Sequence, residues 1–242
     1  MIKIENIETY GWETAIRGMR NPMNSWDRSD SIFGCSMNHS DECLNPKEWS
    51  LCEDCTRAFV GDNDMKLMKA LFKGGTEHRK YLRFINVTMD VTAPLYWWKE
   101  FDTYKIGTNC NSCSTMHKIH AKEFTWDDFS LEHLVRVRDC KFGEPVPTLV
   151  MKTTIDALNY WRERYLTALK TEEETGLSAK DVWWQMIQLL PSSYNQRRTI
   201  QMNYEVAVRI IEQRNNHKLD EWHDMVEVLL NLPYMKEIMG VE

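Results

Sequence analysis

The sequence predicts an α+β fold: one domain over residues 1–242, with a small, mostly antiparallel sheet in the first half packed with long helices of the second half. Three observations predict it. Apolar residues alternate along Phe84, Val87, Met89 and Val91, as in a half-buried strand. After Pro145 and Pro147, four successive stretches carry apolar residues at helical spacing. Only 10 Gly and 7 Pro interrupt 242 residues, of which 43% are hydrophobic and 27% charged, ordinary globular usage that excludes disorder, collagen and coiled coil.

Taken in order, Met1 to about Glu8 reads as a short strand and Thr14 to Met19 as a helix. Residues of about 20–62 form an irregular, cysteine-containing insertion rich in Asn, Ser and Asp, and loops of that length are usually functional or mobile. Asp62-Asn63-Asp64 offers helix N-caps before Met65, Met68 and Leu71, with Gly74-Gly75 as the stop. A strand over Phe84–Val91 leads to Ala93-Pro94, and Leu95–Phe101 reads as a helix with proline near its first turn. A helical period then runs through Ile155, Leu158, Trp161, Tyr165 and Leu169 to about Thr175-Gly176. Another runs through Trp183, Met186 and Ile187 to Pro191. A third covers about Ser193 to Arg214, and a last holds Leu219, Trp222, Val226 and Leu229.

Charge and cysteine usage bound the function. A net charge of −6 argues against a broad basic face for nucleic acid. No segment approaches the roughly 18–20 apolar residues of a membrane span, and the first residues do not read as a signal peptide. Seven cysteines then fit a cytoplasmic protein with reduced thiols. The pairs Cys52/Cys55 and Cys110/Cys113 can each offer two thiolates to zinc, with His39 or Cys43 as further ligands. Cys55 and Cys110 are 55 positions apart, however, against about 15–20 residues in zinc ribbons, so no metal site is assigned. Phosphate-loop, dinucleotide and Gly-x-Ser-x-Gly motifs are absent from the sequence. Tyr96-Trp97-Trp98 and Trp183-Trp184 read as core or interface anchors, with one Trp of each pair turned inward and the other toward a groove or neighbour.

Two blocks carry more specific spacing. Glu77-His78 stands fifteen positions before Ala93-Pro94, and Leu190-Pro191 is followed by Asn203 at twelve positions and Arg214 at eleven more. On these residues the chain resembles the flavin-dependent thymidylate synthases, the ThyX family, over about Gly75–Met116 and Leu190–Trp222. The resemblance implies a ThyX-like fold with flavin beside His78 and Asn203, and Arg214 in contact with the nucleotide base. It also places His217 near the family's cofactor-binding histidine and Trp222 near a tryptophan after the arginine. The family signature R-H-R-x-x-S-x-N-E-x-S-x-R-Y falls on Thr103–Met116, where Lys105 and Thr108 are the chemically similar matches. A one-residue slip instead brings Asn109 and Ser112 onto the family's Asn and Ser.

The implied site is therefore Arg214 as the catalytic and base-contacting residue, with His78, Lys105, Thr108, Asn203 and His217 for the cofactor. Glu100, Ser112, Ser114 and Arg214 are the implied substrate contacts. FAD is the implied cofactor, with NADPH and methylenetetrahydrofolate if the family chemistry is kept, a pyrimidine nucleotide as ligand, and a homotetramer as assembly. Departures cluster on phosphate-binding positions: Glu100 replaces a glutamine, Ile187 an arginine and Trp184 a glutamate. Lys105, Arg197, Arg198, Arg209 and Arg214 are the cations that can rebuild a positive site. Two other expectations stand beside the enzyme: a non-catalytic nucleotide or small-ligand binder on the same fold, and a structural or host-interacting protein working through the 20–62 insertion.

Overall fold

The structure is a computed structural model that describes residues 2–33, 58–171 and 176–241. Strand β1 (Lys3–Tyr10) runs into helix α1 (Trp12–Arg20), and 3-10 turns follow at Asn21–Met23 and Trp26–Arg28. The flanks of the insertion then pair. Strands β2 (Ile32–Phe33) and β3 (Ala58–Phe59) lie antiparallel with Ile32 opposite Phe59 and Phe33 opposite Ala58. The expectations for His39, Cys43, Cys52 and Cys55 fall outside the described residues.

Helix α2 (Asp62–Lys73) starts one residue earlier than its acidic run suggests: Gly61 is the cap residue, and Asp62 and Asp64 sit in the first turn against the helix dipole. A 3-10 turn at Arg79–Arg83 precedes strand β4 (Asn86–Pro94), in which Val87, Met89, Val91 and Ala93 are buried in strict alternation. Helix α3 (Leu95–Phe101) follows directly. Trp97, Trp98 and Phe101 are all fully buried, with ring centroids 4.9–5.4 Å apart. The expectation that one of Trp97 and Trp98 faces outward is thus corrected. Such pairs are worth about 0.5–1.5 kcal/mol each beyond their buried area, and Trp98 Nε1 donates to the Gln196 carbonyl at 2.9 Å. Trp183 and Trp184 do divide, with Trp183 half-buried and Trp184 exposed.

Strand β5 (Thr108–Ser112) and the short helix α4 (Thr115–Lys118) lead through 3-10 turns at Trp126–Asp128 and Val137–Asp139 to α5 (Pro147–Ala168), with proline at its first turn. Helix α6 (Ala179–Leu189) packs on α5, burying Met151, Ile155, Leu158 and Met186 against Phe124 and Phe129. The predicted single helix over Ser193–Arg214 is two elements: strand β6 (Asn195–Asn203) and helix α7 (Tyr204–Arg214). Helices α8 (Asp220–Leu230) and α9 (Met235–Met239) close the chain.

Sheet order is β1-β4-β6-β5. A strand from the second half therefore occupies the interior of the sheet, which corrects its confinement to the first half. Pairing of β4 with β6 is antiparallel: Tyr204 N donates to Ile85 O at 2.9 Å, and Leu95 N to Tyr194 O at 3.0 Å. Pairing of β6 with β5 is antiparallel too, with Asn109 opposite Gln201 and Cys113 N donating to Arg197 O at 2.9 Å. No described helix is long and apolar enough to cross a membrane.

The chain divides into two compact units. The first comprises Met1–Glu5, Asp90–Tyr104 and Cys110–Thr199, and the second Asn6–Met89, Lys105–Asn109 and Ile200–Glu242. The second has its own core around Trp12, Tyr204 and Trp222, all buried.

Candidate functional site

In the second unit, Asn203 is not mid-helix as the sequence suggests. Its extended backbone (φ −91°, ψ 164°) makes it the N-cap of α7, and its side-chain oxygen accepts from Val206 N at 3.0 Å. Asn203 N in turn donates to Gly107 O at 3.3 Å. Gly107 has φ +83°, and a Cβ there would stand 2.7 Å from Asn203 Nδ2, so only glycine fits this approach. The Lys105–Thr108 segment is thereby held against the start of α7, with Lys105 exposed and Thr108 half-buried.

The other end of α7 carries Arg214. Its guanidinium lies over the Trp222 ring, 4.6 Å from the centroid, a favourable placement for a cation. His217 N donates to Arg214 O at 3.1 Å, and the imidazole meets the same Trp222 edge-on at 6.1 Å. His217 Nδ1 accepts from Leu219 N at 3.1 Å, which leaves the ring proton of the neutral form on Nε2. Arg214 and His217 thus meet on one indole.

His78 sits at the turn before the Arg79–Arg83 segment, exposed, with its backbone N donating to Gly75 O at 3.0 Å. Its neighbour Arg79 is buried. Arg79 pairs with Glu205 at 3.0 Å, reaches Glu212 at 3.6 Å and lies over Phe72 at 4.9 Å, tying this turn to α7. Sequence reasoning singled out His78 and passed over Arg79, because nothing in a lone arginine announces a carboxylate partner 126 residues away.

The first unit holds Glu100, Ser112 and Ser114. Glu100 is half-buried on α3 and Ser112 is exposed at the end of β5. Ser114 is the N-cap of α4, its hydroxyl accepting from His117 N at 2.9 Å. Of these three, Ser114 alone lines a polar cavity of about 540 Å³, a size suited to a small ligand. Cys113 is pinned at its edge: its N donates to Arg197 O and its O accepts from Gln196 Nε2 at 2.7 Å. Lys122, Asn195 and Arg197 complete the set that the sequence did not bring together with Ser114. Arg197 and Arg198 lie on β6, not on a helical turn. Arg197 pairs with Asp90 at 2.8 Å, while Arg198 pairs with Asp102 at 2.8 Å and lies over Trp98 at 4.3 Å. The bond to Asp90 pushes the Arg197 guanidinium still further above its ordinary value. A second, mainly apolar cavity of about 610 Å³ is lined by Tyr96, Leu131, Met151 and Pro191.

This architecture has counterparts among solved structures. Thymidylate synthase X (ThyX) from Helicobacter pylori, solved with FAD and dUMP, matches with a TM-score of 0.58 and 14% identity over 98% of this chain and 96% of that one. The fold is that of ThyX. Another structure of the flavin-dependent H. pylori ThyX with FAD and dUMP gives 0.58 and 13% identity over 99% of this chain and all of that chain. The UMP/dUMP methylase PolB from Streptomyces cacaoi, bound with 5-Br dUMP, gives 0.53 and 12% identity over 99% and 95%. No family model matches the chain, and no curated protein matches it in sequence.

Within the ThyX fold, the expected residues fall into three groups. Gly107, between Lys105 and Thr108, bonds to Asn203 at the start of α7, and Arg214 and His217 converge at its end. His78 stands at a turn anchored to the same helix through Arg79. Glu100 and Ser112 line neither of these groupings nor the polar cavity.

Proposed function

We propose that this chain is a divergent flavin-dependent enzyme that acts on a pyrimidine deoxynucleotide or a close relative of one, by thymidylate-synthase-like methylation or a related modification. The observation that carries the reading is the convergence of Arg214 and His217 on Trp222 at the end of the helix that Asn203 caps. In a protein of this fold, that convergence supplies oriented donors for a flat heterocycle. A guanidinium fixed over an indole keeps its N–H groups in one plane, suited to the carbonyl edge of a pyrimidine.

The donor set also fits a flavin in kind. Lys105 offers an ammonium and Thr108 a hydroxyl for the pyrophosphate, while His78, Asn203 and His217 offer ring and amide groups for the isoalloxazine edge. FAD bound here supplies hydride transfer, with NADPH and methylenetetrahydrofolate as the partners that the ThyX reaction uses. The chain's own part is to hold and orient. Asn203 and Gly107 fix the loop that carries Lys105, and Trp222 fixes the Arg214 plane. Glu100, Ser112 and Ser114 lie in the first unit, where Ser114 lines the polar cavity, and their substrate role rests on the family resemblance alone.

The absorption spectrum of the purified protein tests this reading. A flavin band near about 450 nm, present as isolated or after adding FAD, is the expected result. Protein that stays colourless and takes up no FAD overturns the flavin assignment, and dUMP binding by such protein points to a binder that kept the fold without the reaction. Arg214→Ala is expected to weaken pyrimidine binding by about tenfold or more while leaving the flavin band, since it removes a charge-assisted donor.

A further inference from the structure

In the first unit, a loop that ends beside the mainly apolar cavity carries apolar side chains in water. Phe142 is fully exposed, and Val135 and Val137 before it are exposed as well. Single exposed apolar residues are ordinary, but several on one loop mark a surface made for contact. The loop is not slack at its tip. Glu144 N donates to Lys141 O at 3.1 Å, and Lys141 N donates to the Glu144 carboxylate at 2.9 Å. Gly143 takes φ +84°, the left-handed conformation that the third position of a type II turn requires. Phe142 is the residue before it, held outward at the corner of a bonded turn.

The cavity begins where the turn ends. Pro145, Pro147 and Met151 line it together with Leu131 and Leu134, and its volume of about 610 Å³ admits an aromatic side chain. Val150 lines it too and is exposed, so the mouth opens to water. Glu132 is its one lining carboxylate, and no Lys or Arg lines it. The turn offers the opposite sign, because Lys141 flanks Phe142 while the Glu144 carboxylate is bonded to the turn's own backbone.

Three occupants of the cavity can be compared. Reaching the cavity of its own chain would cost Phe142 both turn bonds, since only Gly143 and Glu144 separate it from Pro145. A small apolar ligand would fill the cavity and leave Phe142 in water. A second copy of the chain covers both. Knob and cavity belong to one stretch of the chain, as a twofold contact requires, in which a patch meets its own likeness.

We infer that two copies of this chain dock about a twofold axis, the Phe142 ring of each seated in the apolar cavity of the other. Lys141 of each copy then stands at the mouth of the other's cavity, where Glu132 supplies the complementary charge. Aromatic anchors seated in pockets carry most of the binding energy of such interfaces. The contact requires neither flavin nor nucleotide, so it stands or falls separately from the proposed function.

Photocross-linking of the full chain tests it, with Phe142→p-benzoylphenylalanine in an equal mixture of isotope-labelled and unlabelled protein. Irradiation is expected to give covalent dimers of mixed label, with the attachment mapped to residues 131–134 or 145–151. Attachment within one copy, attachment elsewhere on the second copy, or no covalent dimer at micromolar concentration overturns the inference. Phe142→Ser is expected to weaken self-association, read by sedimentation equilibrium, at least about thirtyfold. Its melting curve is expected to overlay the parent when both are dilute, because the side chain is fully exposed in the single chain. Lys141→Glu sets a carboxylate against Glu132 and is expected to weaken self-association about tenfold at low salt. Equal or tighter association of either variant overturns the inference.

Discussion

Asn203 carries two jobs in one side chain: its oxygen caps α7, and its amide sits where a Cβ on Gly107 would be. Asn203→Ala is expected to cost about 1 kcal/mol of stability, read as a lower urea midpoint, because the Val206 N–H loses its acceptor. Gly107→Ala is expected to cost at least as much, since an L-residue at φ +83° is strained by roughly 1–2 kcal/mol before the clash with Asn203 is counted. A melting curve for Gly107→Ala that overlays the parent would show that this loop is not held as described. The position of Asn203 was legible in the sequence through its spacing from Pro191 and Arg214, but its role was not. With the helix extended back to Ser193, a capping side chain looked like an interior one.

That misplaced helix start shows what sequence periodicity misses at the scale of an element. Along β6, Gln196, Ile200 and Met202 are buried in alternation with Arg198 half-buried between them, so two of the four inward positions, Gln196 and Arg198, break the apolar pattern. Arg198 keeps the period by laying its guanidinium on Trp98, so a charged residue fills an inward place. Meanwhile Tyr204, Ala207, Ile210 and Ile211 carry a strong helical pattern that appeared to extend upstream. Arg198→Ala is expected to destabilise by about 1–2 kcal/mol and Arg198→Met by less, because methionine restores packing on the indole. Equal losses would indicate that the ion pair with Asp102 dominates. The α2 helix, by contrast, was readable to within a residue from Asp62-Asn63-Asp64. What the sequence hid there is the fate of Asp64, fully buried on Arg20 at 2.6 Å and bonded by Ser29 and Ser31. Burial alone pushes the Asp64 carboxyl up, but the bonds from Ser31, Ser29 and Arg20 outweigh it and hold the group below its ordinary value. A carboxyl depressed in the folded state contributes stability above its unfolded pKa of about 3.9 and loses it as pH falls through the folded value. Acid titration of the urea midpoint is expected to show that loss below about pH 4. Asp64→Ala is expected to be destabilised by about 3–5 kcal/mol at neutral pH and to lack this component of the acid dependence.

For the whole molecule, the α+β class was legible because strand alternation and helical period occupy separate stretches of this chain. The order of the sheet was not, since pairing β6 between β4 and β5 depends on contacts across about a hundred residues that no local pattern encodes. The aromatic excess divides in the structure: Trp12, Trp97, Trp98 and Trp222 build cores, while Trp184 and Tyr160 stay exposed with Leu149 and Val150. Each of these last four is exposed on α5 or α6, where a second copy of the chain could cover it. Sedimentation at micromolar concentration is expected to show self-association, with a tetramer as the proposed state. A strict monomer would overturn that state.

The two compact units are each assembled from three separated stretches, and the backbone passes from one to the other five times, at Glu5, Met89, Tyr104, Asn109 and Thr199. Neither half therefore exists as a contiguous piece of gene. A truncation that keeps the α5–α6 pair, for example, discards β1 and β4 or severs them, exposing strand edges that invite aggregation. Dissection of this protein must proceed by point substitution in the intact polypeptide, and limited proteolysis is expected to yield nicked molecules whose fragments stay together until denaturant is added.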